Sequence, residues 1–358
     1  MDEHGTALDS RGAVLARLPE LLLPWFAEHA RELPWRLDRE PYHVWLSEIM
    51  LQQTRVEAVK GYYSRFLSAL PTVKDLADAA PDALHKLWEG LGYYSRVRNL
   101  QAAAKVIMER HGGVFPCTHA EVQALPGIGP YTAGAICSIC FDLPTPAVDG
   151  NVLRVITRVL AWDACVDRDG TKKAVHDALA AVYPPESGTF TQSLMELGAT
   201  VCVPNGAPNC DACPLRAICR ACASGEQTRY PIRQKKKERR IEDRTVFVLR
   251  CGSDEAVRKR PRRGLLADLW EYPNVPGTLD PAAAVEQAQA WGCEPGELQM
   301  QLDRVHIFTH VQWNLRCYYI TCRAEPEQFV WAGPDKMKNE IALPTAFRMF
   351  LQQDREGD

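Results

Sequence analysis

The hydrophobic pattern of the chain changes once, near residue 245. Before that point apolar residues recur with helical spacing, as in the amphipathic stretch 11–31, and no segment has the pattern of a convincing strand. Beyond it the pattern alternates. The elements predicted there are strands at 245–251, 304–308 and 312–321 and helices at 281–291 and 344–352. An all-α part is therefore followed by an α+β part, which indicates two domains.

The domain boundaries follow from the same change of pattern. We predict a helical domain over 1–225, with a cysteine-rich segment at 202–222. A basic linker over 226–244 leads to an α+β domain over 245–358. With 358 residues the chain is long enough for two hydrophobic cores. The basic residues of the linker could touch a phosphate backbone, but a solvated linker is the preferred interpretation.

Composition narrows the class of protein. The net charge of -3 argues against a nucleic-acid binder, although a basic face can exist within a neutral total. No run of eighteen apolar residues is present, so we predict no membrane span. Met1–Ser10 is polar and acidic, unlike a secretory signal, so a reducing compartment is expected for the 13 cysteines. Clustered cysteines there indicate a metal site more often than disulfides.

A glycine-rich turn lies between two helical runs. Leu125 opens it, and Gly127 and Gly129 permit a backbone conformation that other side chains would block. The free N–H groups of such a turn and of the following helix form a natural phosphate site. About twenty residues later Asp149 precedes Gly150 and Asn151 at a predicted helix start. The stretch fits either chemistry on a nucleotide or a plain helix–helix turn with an aspartate N-cap.

Two further segments could carry function. Glu48 lies among apolar neighbours on a predicted helix, and burial would raise its pKa into the range of a general acid. The alternative is an exposed helix glutamate. In 92–98 tyrosines stand beside arginines, which fits base stacking and phosphate contact. The alternative there is packed tyrosines with solvated arginines.

The cysteine-rich segment indicates a metal centre. Cys202, Cys210, Cys213 and Cys219 are separated by seven, two and five residues, and Cys222 follows after two more. Four thiolates at this density suit an iron–sulfur cluster or a tetrahedral zinc ion. The last four cysteines form two C-x-x-C pairs, as in zinc sites, but the gap between the pairs is short for a zinc ribbon. Free structural cysteines are the remaining alternative.

Five segments in this order resemble MutY-type adenine DNA glycosylases of the helix-hairpin-helix, endonuclease III superfamily. They are 45–54, 90–94, the turn at 125, 148–151 and the cysteine cluster. The resemblance implies an iron–sulfur helical domain followed by a Nudix-like domain. It also implies base-excision repair by removal of adenine from DNA opposite 8-oxoguanine, or less efficiently opposite guanine. The Nudix glutamates that hold magnesium are missing after Gly264, so we expect a recognition module rather than a second hydrolase.

The resemblance also assigns catalytic roles. Glu48 would protonate the five-membered ring of adenine, and Asp149 would stabilise the cationic sugar or capture it covalently before water attacks. Tyr131 and Asn151 would position these groups. Lyase-competent relatives have a lysine at the position of Tyr131; because tyrosine cannot form a Schiff base, we expect a monofunctional glycosylase.

Residues that contact the extruded-base duplex are implied in both domains. Gln53 and Tyr93 match positions that fill the gap opposite 8-oxoguanine, and the backbone of the turn at Leu125, Gly127 and Gly129 would hold phosphate. In the second domain Phe308-Thr309-His310 resembles a Phe-Ser-His loop that detects 8-oxoguanine, with threonine in place of serine. We expect a monomer that binds mispaired duplex DNA and no membrane, located with DNA in the cytoplasm or nucleus.

The spacing of the cluster cysteines departs from the family pattern by one residue. The family spaces the first two cluster cysteines by six residues, so the extra residue here could bulge or could bring Cys222 in as a substitute ligand. A 4Fe–4S cluster on Cys202, Cys210, Cys213 and Cys219 is the preferred assignment.

The competing functions are a glycosylase/lyase for oxidised pyrimidines, which Tyr131 disfavours, and a non-catalytic damage sensor, which would need neither Glu48 nor Asp149.

Overall fold

The computed structural model describes residues 11–235 and 238–351, which form two compact units. One unit contains the described residues up to Asp78 together with Asn99–Lys235. The other combines Ala79–Arg98 with the described residues after 235. The segment 79–98 is thus grouped with the second unit, which a single boundary in the linear sequence does not anticipate. The boundaries 1–225, 226–244 and 245–358 remain predictions.

The described residues up to 235 contain helices and no strand, as the sequence predicts. Residues 11–15 are helical, and the helices that follow are α1 (Leu18–His29), α2 (Pro41–Leu51), α3 (Val56–Ala69), α4 (Val73–Asp78), α5 (Pro81–Leu87), α6 (Ser95–Arg110), α7 (His119–Gln123), α8 (Pro130–Phe141), α9 (Gly150–Leu160), α10 (Asp169–Ala180), α11 (Ser187–Thr200) and α12 (Arg220–Ala223). No helix of this part or of the other described residues is long and apolar enough to cross a membrane.

Helix α9 lies in the core of the first unit. Val152, Val155, Ile156 and Val159 are all buried, and burial of each such side chain contributes about 1.5–3 kcal/mol. Helix α11 packs against α9, α8 and α1. Its Gly198 permits the close approach to α9, since a Cβ there would come within 2.6 Å of the Cβ of Asn151. The start of α9 is therefore fixed by packing.

The second unit is built on a mixed sheet. Its strands are β1 (Arg240–Cys251), β2 (Asp254–Lys259), β3 (Trp270–Glu271), β4 (Asn274–Pro276), β5 (Pro295–Ile307), β6 (Val311–Cys322) and β7 (Val330–Ala332). The order is β3-β2-β1-β6-β5, with β4 paired to β1 and β7 to β2. β1 and β6 run parallel, and the other pairs are antiparallel. The combination of a helical domain and an α+β domain confirms the predicted fold class.

Helices cover the two faces of this sheet. Trp313, Leu315 and Tyr319 of β6 pack in one core with the region of α14 (Pro334–Asn339) and α15 (Thr345–Arg348). Tyr318 and Ile320, which alternate with them, pack in a second core with α13 (Pro281–Ala290). The helix predicted over 344–352 ends at Arg348, and residue 352 lies outside the described residues.

Strand β1 begins at Arg240, inside the predicted linker. Four of its first five residues are charged and the fifth, Ile241, is exposed, so no alternation of buried and polar residues reveals a strand before Thr245. Backbone pairing with β6 nevertheless extends from Arg240 to Arg250. The basic run predicted for the linker falls partly on residues 236–237, which lie outside the described residues.

Candidate active site

A cavity of about 680 Å³ opens in the first unit. Side chains from α2, α8, α9 and α11 line it. The four residues predicted to be catalytic all line this cavity: Glu48, Tyr131, Asp149 and Asn151. Gln53 lines it as well. Residues more than eighty positions apart in the sequence are thereby brought to one site, large enough for a nucleobase.

Glu48 is a buried carboxyl with one close polar partner. Only 6% of its surface is exposed. The Tyr131 hydroxyl donates a hydrogen bond of 2.5 Å to its Oε2. Burial raises the pKa of Glu48 from 4.5 to about 7; the nearby Asp149 adds to the rise, while Tyr131 and Arg36 oppose it. The prediction of a raised pKa is confirmed, and the exposed-glutamate alternative is wrong because the neighbouring helices cover α2 on this side.

Asp149 caps the N-terminus of α9, as the sequence predicts. Its Oδ1 accepts a hydrogen bond of 2.7 Å from the backbone N–H of Val152, and its Oδ2 accepts one of 2.7 Å from Asn151 Nδ2. Burial raises the pKa of Asp149, and these donors counteract the rise because they stabilise the ionised form. Asn151 thus orients the carboxylate towards the cavity that it lines.

Two buried arginines behind Asp149 were missed by sequence reasoning. Arg154 donates to Asn151 Oδ1 at 2.8 Å and to the Cys202 carbonyl at 2.7 Å. Arg158, one turn later, donates to Cys202 Sγ at 3.2 Å. Both side chains are buried, so α9 joins the candidate catalytic residues to the cysteine-rich segment. The sequence did contain a signal for them: Arg154 and Arg158 are four residues apart, and so lie on one face of the helix that Asp149 caps.

The glycine-rich turn has the predicted backbone at one of its two glycines. Gly127 has φ +75, and a Cβ there would come within 2.5 Å of Asn99. Gly129 has φ -87 and serves as the N-cap of α8, so it needs no left-handed conformation. Leu125 is buried beneath the turn. The helix that begins here carries Tyr131, so the turn sets the position of the hydroxyl bound to Glu48.

Gln53 and Tyr93, predicted to fill the gap in DNA, both have positive φ angles, 59 and 46. Such angles are uncommon for residues other than glycine and often mark functional positions. Gln53 lies in the first unit and lines the cavity. Tyr93 lies in the second unit, is 47% exposed, and its hydroxyl lies 2.9 Å from Thr309 Oγ1. Strain of this kind has no signature in the sequence.

The segment Phe308-Thr309-His310 forms the turn between β5 and β6. Phe308 N donates to the Val311 carbonyl at 2.8 Å, which closes the turn. The Phe308 ring packs edge-on against Trp313, with centroids 4.9 Å apart, and against His306 at 4.5 Å. Thr309 therefore projects from an anchored hairpin and contacts Tyr93, another residue predicted to bind DNA.

Comparison with known proteins accounts for both units. Residues 46–184 match the HhH-GPD superfamily base excision DNA repair protein model, and residues 245–353 match the NUDIX domain. The adenine DNA glycosylase of Rattus norvegicus is 36% identical, covering 93% of this chain and 78% of its own. That of Mus musculus is 35% identical, covering 94% and 78%. This chain belongs to the adenine DNA glycosylase family.

A solved structure supports the fold of the helical unit. A thermostable thymine-DNA glycosylase, 25% identical, matches with a TM-score of 0.53 over 61% of this chain and 99% of its own. Membership in the adenine DNA glycosylases confirms the resemblance and makes the chain a hydrolase of N-glycosyl bonds that functions in DNA repair. The sensor alternative, which lacks catalysis, is thereby disfavoured.

The clustered cysteines at 202–222 could hold an iron–sulfur cluster, because their thiols are the right ligands and lie close together. The thiols predicted as ligands share one pocket, together with Cys222 and Arg158; they are Cys202, Cys210, Cys213 and Cys219. Among the described residues, no three His, Cys, Asp or Glu side chains are arranged to hold one metal ion. A four-iron cluster takes one thiolate per iron and does not require such convergence. The side chains of Cys210 and Cys222 are hydrogen-bonded to each other, so the fifth cysteine lies beside the predicted ligands.

Proposed function

We propose that the enzyme removes adenine paired with 8-oxoguanine, or with guanine, by hydrolysis of the N-glycosidic bond without strand cleavage. The observation that carries this proposal is the pairing of two buried carboxyls, Glu48 and Asp149, in one cavity with different sets of hydrogen-bond donors. Glu48 is buried with a pKa near 7, while Asp149 has hydrogen-bond donors on both oxygens. Two carboxyls of this kind divide acid and nucleophile roles in glycoside hydrolysis.

Glu48 acts as the general acid. A pKa of about 7 leaves a large fraction of Glu48 protonated at neutral pH, and the packing around the side chain leaves only 6% of it exposed. Proton transfer to the five-membered ring of adenine makes the base a better leaving group. The Tyr131 hydroxyl stabilises the carboxylate that remains after transfer, through the hydrogen bond to Oε2.

Asp149 stabilises the positive charge that develops on the sugar. As the N-glycosidic bond breaks, the sugar becomes an oxocarbenium ion, and a carboxylate fixed beside it lowers the energy of that state or adds to it before water attacks. Asn151 holds the carboxylate in place, and Arg154 holds Asn151. The enzyme therefore needs no reorganisation when the charge appears.

We expect no strand cleavage, because Tyr131 stands at the position of the lyase lysine and Lys172, which also lines the cavity, is paired with Asp169 at 3.0 Å. A lyase step would need an amine that forms a Schiff base with the sugar, and this position in the cavity carries a phenol instead. Burial also raises the pKa of Tyr131 well above its ordinary value, so the phenol stays protonated as a donor to Glu48. The product would be an intact strand with an abasic site.

The base opposite adenine is read by the second unit. Thr309 and His310 lie at the tip of the hairpin that Phe308 anchors, and Tyr93 contacts Thr309. Hydroxyl groups at this point can exchange their mutual hydrogen bond for one to 8-oxoguanine. Gln53 would fill the space that adenine leaves, while Leu125, Gly127 and Gly129 would support backbone contacts to phosphate. The resulting complex is one monomer on mispaired duplex DNA, located with DNA in the cell.

A 4Fe–4S cluster on Cys202, Cys210, Cys213 and Cys219 completes the proposal. When bound, the cluster would supply four iron–thiolate bonds that order the loop around it. The donor set fits, because the thiols line one pocket and Arg158 donates to Cys202 Sγ at 3.2 Å. The chain's own contribution is to tie this loop to α9 through Arg154 and Arg158.

Single-turnover cleavage of a duplex with adenine opposite 8-oxoguanine tests the proposed activity, with matched adenine:guanine and adenine:thymine duplexes. Each reaction is divided and analysed with and without hot alkali. We expect strand breakage only after alkali, fastest with 8-oxoguanine and negligible with thymine. Breakage without alkali would instead show lyase activity, and binding without base release would show a sensor. The Glu48→Gln protein is the inactive control.

A further inference from the structure

A strongly basic segment lies in the second unit, at the end of β2 and in the loop that follows. Five of the six residues in 258–263 are basic: Arg258, Lys259, Arg260, Arg262 and Arg263. The net charge of the whole chain is -3, so this segment is a local exception. Three of these side chains form ion pairs, and the other two, Arg262 and Arg263, differ from them.

Three of the five basic side chains are paired within the unit. Arg258 Nε lies 2.9 Å from the buried carboxylate of Glu271, and Arg260 bonds the other oxygen of the same carboxylate. Lys259 lies 2.5 Å from Asp82. A buried carboxylate needs such partners, so these contacts have a structural explanation.

Arg262 and Arg263 have no such explanation. Both are exposed, and neither makes an ion pair within 11–235 or 238–351. The loop that presents them is nevertheless well fixed by backbone hydrogen bonds, from Arg260 N to the Leu269 carbonyl at 2.9 Å and from Asp268 N to the Pro261 carbonyl at 3.2 Å. An ordered loop with two uncompensated guanidinium groups is a platform for an anion.

The same loop is connected to the hairpin that carries Thr309. The Arg260 guanidinium lies 5.5 Å from the ring centre of Trp313, and that ring packs against Phe308. Segment 79–98 contacts both features as well. Arg98 donates to the Ala267 carbonyl of the loop at 2.9 Å, and Tyr93 contacts Thr309 of the hairpin.

We propose that Arg262 and Arg263 bind phosphates of the DNA duplex close to the base that the hairpin reads. A loop braced against the hairpin holds these charges at a fixed distance from it, as two contacts to one duplex require. The contribution is independent of sequence and of the lesion, since phosphates are the same at every step. This inference deepens the proposed function, on which it rests for the choice of duplex DNA as the ligand.

The test is the salt dependence of duplex binding by Arg262→Gln/Arg263→Gln in the full chain. Each phosphate contact contributes about 0.9 to the slope of log Kd against log salt concentration, so the double variant should lose roughly two units of slope. Over a fourfold range of salt this difference amounts to roughly tenfold in affinity. The loss should be equal for an adenine:8-oxoguanine duplex, measured in a Glu48→Gln background, and for a fully paired duplex.

The matched control is Lys336→Gln/Lys338→Gln, which removes two exposed positive charges from α14 in the same unit. We expect this control to keep the original slope, and both variants to keep the original thermal unfolding midpoint. An unchanged slope in the arginine variant would overturn the proposal, as would an equal change in the lysine variant or a loss confined to the lesion duplex. The fully paired duplex needs no adenine release, so failure here is distinguishable from failure of the proposed activity.

Discussion

The proposed acid, Glu48, illustrates how one residue acquires its chemistry from its surroundings. In solution a glutamate is ionised at neutral pH and cannot deliver a proton efficiently. Here burial is the largest influence and raises its pKa to about 7, although the hydrogen bond from Tyr131 favours the ionised form. A substantial fraction of Glu48 is therefore protonated near neutral pH, and a pKa close to the working pH suits a general acid.

Glu48→Gln should lower the rate of adenine release by at least ~10²-fold, because an amide cannot donate a proton as a carboxylic acid does. Duplex affinity should remain close to normal, since size and hydrogen bonding are preserved. Single-turnover rates and a binding titration on the same preparation measure both effects. Near-normal turnover would remove Glu48 from the mechanism.

Tyr131→Phe should shift the pH dependence of the reaction. The wild-type rate should fall as pH rises through about 7, because Glu48 loses the proton that it must deliver. The tyrosine hydroxyl stabilises the carboxylate and so lowers the pKa of Glu48; removing it should raise that pKa and move the fall to higher pH. Single-turnover rates between pH 5 and 9, a range of about four units around this pKa, measure the shift. A fall at unchanged or lower pH would contradict the assigned role.

At the scale of elements, α9 is the link between the proposed chemistry and the cysteine-rich segment. Its N-cap is Asp149, and its buried arginines reach Cys202 through both the carbonyl and the sulfur. The segment is held by short turns of backbone hydrogen bonds and by these arginine contacts, and a bound metal would add bonds that join its turns to one another. Loss of the metal should therefore disturb the position of Asp149 at the start of α9.

Cys202→Ser should lose iron and lower the thermal unfolding midpoint, whereas Cys222→Ser should keep its iron. The Arg158 guanidinium donates to the Cys202 sulfur, which fits a thiolate ligand there, whereas Cys222 lies outside the preferred ligand set. Iron content per protein and visible absorption of the purified variants measure the outcome. If Cys222→Ser loses iron while Cys210→Ser retains it, Cys222 is the ligand and the seven-residue gap has changed the ligand set.

Sequence reasoning succeeded where the signal was local. The helices around Glu48 and Asp149, the N-cap itself, most of β6 and the buried part of β1 were predicted from spacing within one element. Only the end of β5 was predicted, since the segment 304–308 covers its last four residues. Strands β3, β4 and β7 were missed because they have two or three residues, too few for alternation to be recognised. Strand β2 was missed because its apolar residues, Ala256 and Val257, are adjacent and do not alternate with polar ones. Arg154 and Arg158 were missed because their partners depend on long-range packing.

The grouping of 79–98 with the second unit could not be predicted, because it rests on contacts about 170 to 255 positions away. The Leu343 N–H donates to Glu89 at 2.9 Å, and Lys86 donates to the Ile341 carbonyl at 3.1 Å. Arg98 and Tyr93 add the contacts to Ala267 and Thr309. No periodicity within 79–98 encodes partners of this kind.

At the scale of the whole molecule, the grouping of 79–98 with the second unit determines which protein variants can test recognition of 8-oxoguanine. A fragment of residues 1–225 retains Glu48 and Asp149 but leaves 79–98 without the contacts from Ala267, Thr309, Ile341 and Leu343. Several hydrogen bonds of about 1 kcal/mol each would be lost together with apolar burial. We therefore expect the fragment to unfold at a lower temperature than the full chain while still releasing adenine.

Thr309→Val in the full chain separates recognition from folding, because valine preserves the shape and removes only the hydroxyl. If Thr309 donates to or accepts from 8-oxoguanine, release of adenine opposite 8-oxoguanine should slow by roughly ten- to a hundredfold, the value of ~1–3 kcal/mol for a good hydrogen bond. Release opposite guanine should change much less, so the ratio of the two rates should fall. Tyr93→Phe removes the partner hydroxyl and shows whether the Tyr93–Thr309 contact itself matters. An unchanged ratio in Thr309→Val, with the fragment equally selective, would mean that the second unit has a role other than reading the opposite base.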